Sequence, residues 1–211
     1  MPNRIHIGNR RFSSWSMRGW LAVQEAGLQV EEVVIPLAGG RTPEVFALPG
    51  RSVPFLEHDG NRVWESLAIV EYCAELHPAL WPADRPARTR ARVIASEMHA
   101  GFRALRMAWP MDLGIDGRDA PRSADVLEDV ARIETLWRDA LAMSGGPFLF
   151  GTAFTGADCM LAPVVTRFLT YGALVGPEAR AYCEAVRAYP AVASWYDGAA
   201  AEPPAWAERH G

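Results

Sequence analysis

Cysteine is scarce: 211 residues hold three, Cys73, Cys159 and Cys183. Their odd number and wide spacing exclude a disulfide framework, and no Cys-X-X-Cys or Cys/His set has zinc-ligand spacing. Reduced core thiols, and hence a cytoplasmic protein without metal, are expected. Long hydrophobic runs are also missing. No segment approaches the roughly 20 apolar residues of a membrane span, and the opening "MPNRIHIGNRR" lacks the apolar stretch of a secretion signal. Nor is there a surplus of positive charge: 21 Lys and Arg stand against 25 Asp and Glu, a net −4. That balance provides no field to attract nucleic acid or an anionic membrane, and neither partner is expected. Internal repeats and low-complexity tracts are absent too. With 50% hydrophobic and 22% charged residues, the chain reads as globular and is long enough for one large core or two small ones.

The first eighty residues alternate strand and helix patterns. "RIHI" reads as a strand, Met17 to Ala26 as a helix stopped by Gly27, and "VEEVVI" (Val30 to Ile35) as a second strand closed by Pro36. Leu37 to Gly50, punctuated by glycine and proline, reads as a loop with one short helix. Phe55 to His58 and Arg62 to Trp64 read as a hairpin around Asp59-Gly60, and Leu67 to Leu76 as a helix with Ile69, Val70, Cys73, Ala74 and Leu76 on one stripe. Strand patterns then cease. Pro78, Pro82 and Pro86 mark a linker, followed by expected helices over Arg88–Trp109, Ala124–Met143, Gly156–Gly172 and Glu178–Ala188, with a short one after Pro190. The expected fold class is α/β plus all-α: an α/β unit over residues 1–80, a linker over 81–86 and a helical unit over 87–211.

Three short stretches carry polar groups suited to chemistry. "RFSSWSMRGW" (Arg11 to Trp20) crowds Ser13, Ser14 and Ser16 at a strand-to-helix turn, where they either cap the helix or face a ligand. No His–Asp pair near them makes a hydrolase-type nucleophile. Val53-Pro54 precedes the hairpin; its proline cannot donate to a central ladder, so it belongs at a strand entrance or edge. Glu65-Ser66 opens the next helix. Ser66 is a natural N-cap whose hydroxyl and adjacent amides suit a carboxylate, and Glu65 suits an ammonium group, although plain capping explains the pair equally well.

Taken in order, "SSWSMR", "SVPFLEHDG", "ESLAIVEYCAEL" and "FTGADCMLAPVV" make the chain resemble the glutathione transferase superfamily over nearly its whole length. The resemblance implies a thioredoxin-like first domain that binds glutathione as co-substrate, and a helical second domain that supplies most of the co-substrate pocket. It also implies a homodimer. The serine run is most similar to the serine-type classes, zeta and tau, in which the activating serine stands five positions before an arginine. Counting back from Arg18 gives Ser13 as the catalytic residue, with Ser14 as the alternative. Its hydroxyl would hydrogen-bond the glutathione sulfur and favour thiolate over thiol, whose ordinary pKa is about 8.5. By the same resemblance Val53 pairs through its backbone with the cysteinyl part, with Pro54 cis. Glu65 and Ser66 hold the γ-glutamyl end, and Arg51 contacts the glycine carboxylate. With no cysteine at 13 or 14, the thiol-reductase branch does not fit. Trp15, where zeta isomerases commonly carry cysteine, speaks against maleylacetoacetate isomerisation.

In the second half, Thr155-X-X-Asp158 is a capping-box pattern, stapled by Phe154 and Cys159, which assigns Asp158 to folding. Met98, Phe102, Leu105 and Trp109 share one helical stripe. Trp15, Met107, Trp109 and Met111 are the candidate lining of an apolar electrophile pocket. Arg103 and Arg106 face either the cleft or a partner subunit. The expected function is detoxifying transfer of glutathione to a small apolar electrophile. The alternatives are a glutathione-dependent isomerase and a non-catalytic interaction module on the same fold.

Overall fold

The computed structural model describes residues 2–37, 40 and 42–207. Its α/β part runs β1 (Arg4–Gly8), α1 (Ser14–Glu25), β2 (Glu31–Ile35), α2 (Pro43–Ala47), β3 (Phe55–His58), β4 (Asn61–Trp64) and α3 (Ser66–Leu76). Helices follow: α4 (Arg85–Ala100), α5 (Arg103–Ala108), α6 (Ala124–Ser144), α7 (Gly156–Tyr171), α8 (Pro177–Ala188) and α9 (Pro190–Ala200), with 3-10 turns at Pro78–Leu80 and Pro204–Ala207.

The four strands order as β2-β1-β3-β4. β1 and β2 are parallel, as a helical crossover between them requires, and β3 lies antiparallel to both β1 and β4. Ile5 faces Leu56 across the β1–β3 pair, and with Ile7 these residues are fully buried. Period-two alternation in β1 thus turns one face into the core, where α1 and α3 pack. Asp59 and Gly60 both take positive φ, 46° and 79°, at the tight hairpin turn.

Gly19 lies in the interior of α1, where glycine costs about 1 kcal/mol relative to alanine. A Cβ there would come within 2.9 Å of Pro54 Cγ and 3.3 Å of Ile69 Cδ1. The glycine therefore lets α1 close on the Val53-Pro54 loop. Gly19→Ala is expected to lower the melting temperature despite its better helix propensity. A rise in a thermal melt would show that Pro54 yields without cost.

α7 is the spine of the helical part: Gly156 through Phe168 are all buried, between α1, α4 and α8. Thr155 N–H (2.8 Å) and Oγ1–H (2.7 Å) both donate to Asp158 Oδ2, the carboxylate arm of the capping box. Phe154 stacks on Tyr189, with centroids 4.1 Å apart.

The expected elements differ from the structure in several places; α1, for one, begins at Ser14, three residues before the expected Met17. The helix expected over Arg88–Trp109 is two helices, because Gly101 ends α4 and Phe102 takes a left-handed conformation (φ 56°, ψ 44°). α4 begins at Arg85, inside the expected linker: Asp84 caps the Ala87 N–H at 2.9 Å, and Pro86 falls in the first turn, where no backbone donor is needed. Ser66 is not the N-cap of α3. Glu65 holds that position with φ 68°, and Ser66 is the first helical residue.

Candidate active site

The loop between β1 and α1 presents the serines, and it is tied at several points. Arg10 and Arg11 N–H both donate to the Glu202 carboxylate, and Trp195 Nε1–H donates to Arg10 O at 3.0 Å. Arg11 Nε–H meets Asp112 Oδ1 at 2.7 Å.

Within this frame the serines have distinct partners. Ser13 is the N-cap of α1 and only 6% exposed; its hydroxyl donates to Ser16 Oγ at 2.7 Å. Ser16 Oγ also accepts from Gly8 N–H at 2.9 Å, which fastens the first turn of α1 to the end of β1. Ser14, one residue on, lines a cleft of about 550 Å³. Its Oγ accepts from Arg167 Nη2–H at 3.3 Å, and among the described residues no acceptor takes its own proton.

Trp15, Met107 and Met111 line the same cleft. Met107 is 72% exposed at its rim and Met111 only 2% exposed at its base. Trp109 does not line it. The residue is 0% exposed, stacked on Tyr171, with its indole N–H donated to Pro121 O at 3.1 Å. Trp109, the residue after α5, keeps to the buried stripe of Met98, Phe102 and Leu105 and packs in the core.

A wall of aromatic and polar groups leads from Trp15 towards α3. His99 of α4 meets the Trp15 ring edge-on at 5.4 Å, and its Nε2 lies 4.0 Å from Glu65 Oε2. Glu65 is exposed, while Ser66 is buried and its Oγ has no hydrogen-bond partner among the described residues. That orphaned hydroxyl, beside the free amides of a helix N-terminus, fits a carboxylate ligand. Val53-Pro54 is a cis peptide bond. Arg51 is exposed, with φ 50° and its guanidinium 5.3 Å over the Phe46 ring.

Burial holds the His99 pKa below its ordinary 6.5, against the pull of Glu65 and helped by Arg18 and Arg106. A depressed histidine pKa means that, as pH falls through 6.5, the unfolded chain takes up this proton before the folded one. Stability therefore falls with pH from 6.5 downwards. His99→Gln is expected to flatten that slope, read from urea midpoints between about pH 5 and 7. An unchanged slope would show that His99 titrates alike in both states.

Sequence reasoning missed several lining residues, Phe12 and Arg167 among them, and left Arg103 and Arg106 unassigned. All four lie on the cleft. Arg167, from α7, is buried; its Nε–H donates to Trp109 O and its Nη1–H to Pro163 O, both at 2.9 Å. Desolvation and neighbouring Arg106 push its pKa down to about 10, so it stays cationic at neutral pH. Arg18 and Arg106 both lie over the Trp15 ring, at 4.3 and 4.7 Å. Together these groups make the N-terminus of α1 a place where an anion is favoured.

A larger groove of about 1120 Å³ between α3, the start of α4 and residues 150–155 holds none of these residues. Among the described residues, no cluster of His, Cys, Asp or Glu could hold a metal ion.

Comparison with known proteins fits this geometry. A probable maleylacetoacetate isomerase of Caenorhabditis elegans is 27% identical over 164 residues, 74% of each chain. The probable glutathione S-transferase GSTU6 of Oryza sativa subsp. japonica is 31% identical over 153 residues, 69% of this chain and 62% of that one. The fold matches the crystal structure of a glutathione transferase homolog from Burkholderia with bound glutathione at TM-score 0.72, with 23% identity and coverage of 95% and 99%. Residues 12–76 match the glutathione S-transferase N-terminal domain, and residues 94–198 match the C-terminal domain. With both domains matched in order and the cleft framed by residues of each, the chain belongs to the glutathione S-transferase family.

Proposed function

We propose that this protein binds glutathione along the wall from Ser66 to Ser14 and transfers its sulfur, as thiolate, to a small electrophile in the cleft. The observation that carries the reading is the Ser14 hydroxyl: it accepts from the Arg167 guanidinium, gives its own proton to no acceptor among the described residues, and opens on the cleft at the N-terminus of α1. A hydroxyl that accepts from a cation is a better donor, and a donor to sulfur stabilises the thiolate. Ser13, the first choice by spacing, must give up Ser16 before it can donate to sulfur. Glu65 and the orphaned Ser66 hydroxyl suit the ammonium and carboxylate of the γ-glutamyl end; Val53 supplies backbone pairing to the cysteinyl part, and Arg51 a cation for the glycine carboxylate.

In this reading residues 1–80 hold glutathione and residues 87–211 supply the rest of the cleft. Three buried free thiols suit a reducing cytoplasm, and exposed Trp64, Leu76 and Val93 suit a homodimer. Detoxification is the corresponding role. The test is an ultraviolet difference titration of reduced glutathione into the protein near neutral pH. Thiolate absorbance supports the reading, and its absence at saturating glutathione sinks it. A second reading, a glutathione-dependent isomerase, is supported by the name of the 27%-identical relative. It uses the same thiolate, which adds and then leaves, so only the product separates the two.

A further inference from the structure

We propose that the electrophile this cleft selects carries a carboxylate, bound by Arg106 and Arg103 of α5 with Arg167 behind them. The inference rests on the transferase reading for its chemistry but not for its binding step. Three arginines and no Asp or Glu stand among the described residues that line the cleft. Elsewhere this chain pairs its surface arginines with acids: Arg4 with Glu31, Arg92 with Glu71, Arg132 with Glu97. Around the cleft it does not. Among the described residues, Arg18, Arg103, Arg106 and Arg167 have no carboxylate oxygen within 4.0 Å. Arg18, buried against Trp15, has no hydrogen-bond partner for Nη1 or Nη2 among the described residues.

Uncompensated guanidinium groups brought this close repel one another, and burial removes the water that would screen them. Each depresses its neighbour: Arg106 and Arg167 act on Arg18, Arg103 on Arg106. Such an arrangement is relieved by an anion. The glutathione thiolate supplies one negative charge, and the peptide's own carboxylates are accounted for at Ser66 and Arg51. Cationic capacity remains on the α5 side. Arg106 donates one Nη1–H to Gly101 O at 3.1 Å, and its other donors are free among the described residues. Phe12, Met107 and Met111 provide apolar surface for the rest of the molecule. The selected ligand is thus an acid with an apolar body.

The probes are 4-chloro-3-nitrobenzoate and its methyl ester. In both, the thiolate attacks C4 and forms the C–S bond, the electron pair is held on the nitro-substituted ring, and the C–Cl bond breaks with chloride taking the pair. The carboxylate is a spectator, so only its recognition differs. After division by the uncatalysed rate constants, kcat/KM is expected to favour the acid by about 10-fold or more, as for a charge-assisted hydrogen bond. Arg106→Gln is expected to remove most of that preference, lowering kcat/KM several-fold more for the acid than for the ester.

Equal use of acid and ester by the wild type overturns the inference while leaving the transferase reading intact. So does an equal loss on both in Arg106→Gln, which would assign the cations to the sulfur. Because Arg106 also packs on Trp15, Arg103→Gln, an exposed change, serves as the second variant. Binding is read separately, without glutathione, by calorimetry with 3-nitrobenzoate and its methyl ester, which lack a leaving group. Tighter binding of the acid, reduced in either variant, is the expected result even if no turnover is found; equal binding overturns it.

Discussion

Ser14→Ala is expected to raise the thiol pKa of bound glutathione by about 1–2 units, the equivalent of a lost hydrogen bond to a charged group at about 1.4 kcal/mol per unit. At a pH below both values the thiolate fraction, and with it kcat/KM, falls about 10- to 100-fold. The effect shrinks as pH rises, because thiolate then forms without help. Arg167 already donates to Ser14 Oγ, so the alanine variant also strips a buried cation of one acceptor, and a small loss of stability accompanies the loss of activity. Ser13→Ala should behave in the opposite way. It removes the cap of α1 and the donor to Ser16, at about 1 kcal/mol of stability, with little change in the thiol pKa. The ultraviolet thiolate signal, titrated against pH in both variants, decides between them. A signal lost in Ser13→Ala and kept in Ser14→Ala would reverse the assignment.

How far the sequence foretells this arrangement depends on which interaction sets each part. β1 and α3 were legible because one-sided burial imposes a period on their residues, and the β3–β4 hairpin through Asp59-Gly60, because few residues other than glycine, Asn and Asp tolerate positive φ. The break at Gly101-Phe102 was hidden for the same reason. Met98, Phe102, Leu105 and Trp109 remain buried on both sides of it, so the apolar stripe runs on although the backbone does not. Gly101 was the available signal, since a glycine at that place ends helices. In the same way Glu65, with φ 68°, displaced the expected cap by one residue and drew Ser66 into the first turn.

Cleft composition was the least legible part. Met107 and Met111 suggested an apolar slot, and Arg167 lay unnoticed in "VVTRFLTY" because periodicity does not tell where a guanidinium points. One cation within a stretch of buried helix was the signal, as an unpaired buried charge needs a compensating group.

Asp158→Ala is expected to destabilise the protein by about 3 kcal/mol or more, lowering the melting temperature by roughly 10 °C in a chain of this size. The carboxylate is fully buried and takes four donors: Leu149 N–H (3.1 Å) and Tyr182 O–H (3.1 Å) on Oδ1, Thr155 N–H (2.8 Å) and Thr155 O–H (2.7 Å) on Oδ2. Alanine leaves these donors facing an apolar void, where each loses both water and partner. Asparagine fares little better. Its single oxygen satisfies one pair, and its NH2 group then meets the other pair donor to donor. Tyr182→Phe, which removes one donor of four and leaves the acceptor otherwise satisfied, should cost only about 1 kcal/mol. The distance of this network from the cleft makes a second measurement decisive. At a temperature where the Asp158→Ala variant is still folded, its glutathione thiolate signal per folded molecule should match the wild type, because α7 then still delivers Arg167 to Ser14. A thiolate signal lost while circular dichroism shows a native fold would mean that the carboxylate acts on the sulfur site, and that its role extends beyond holding α7 in place.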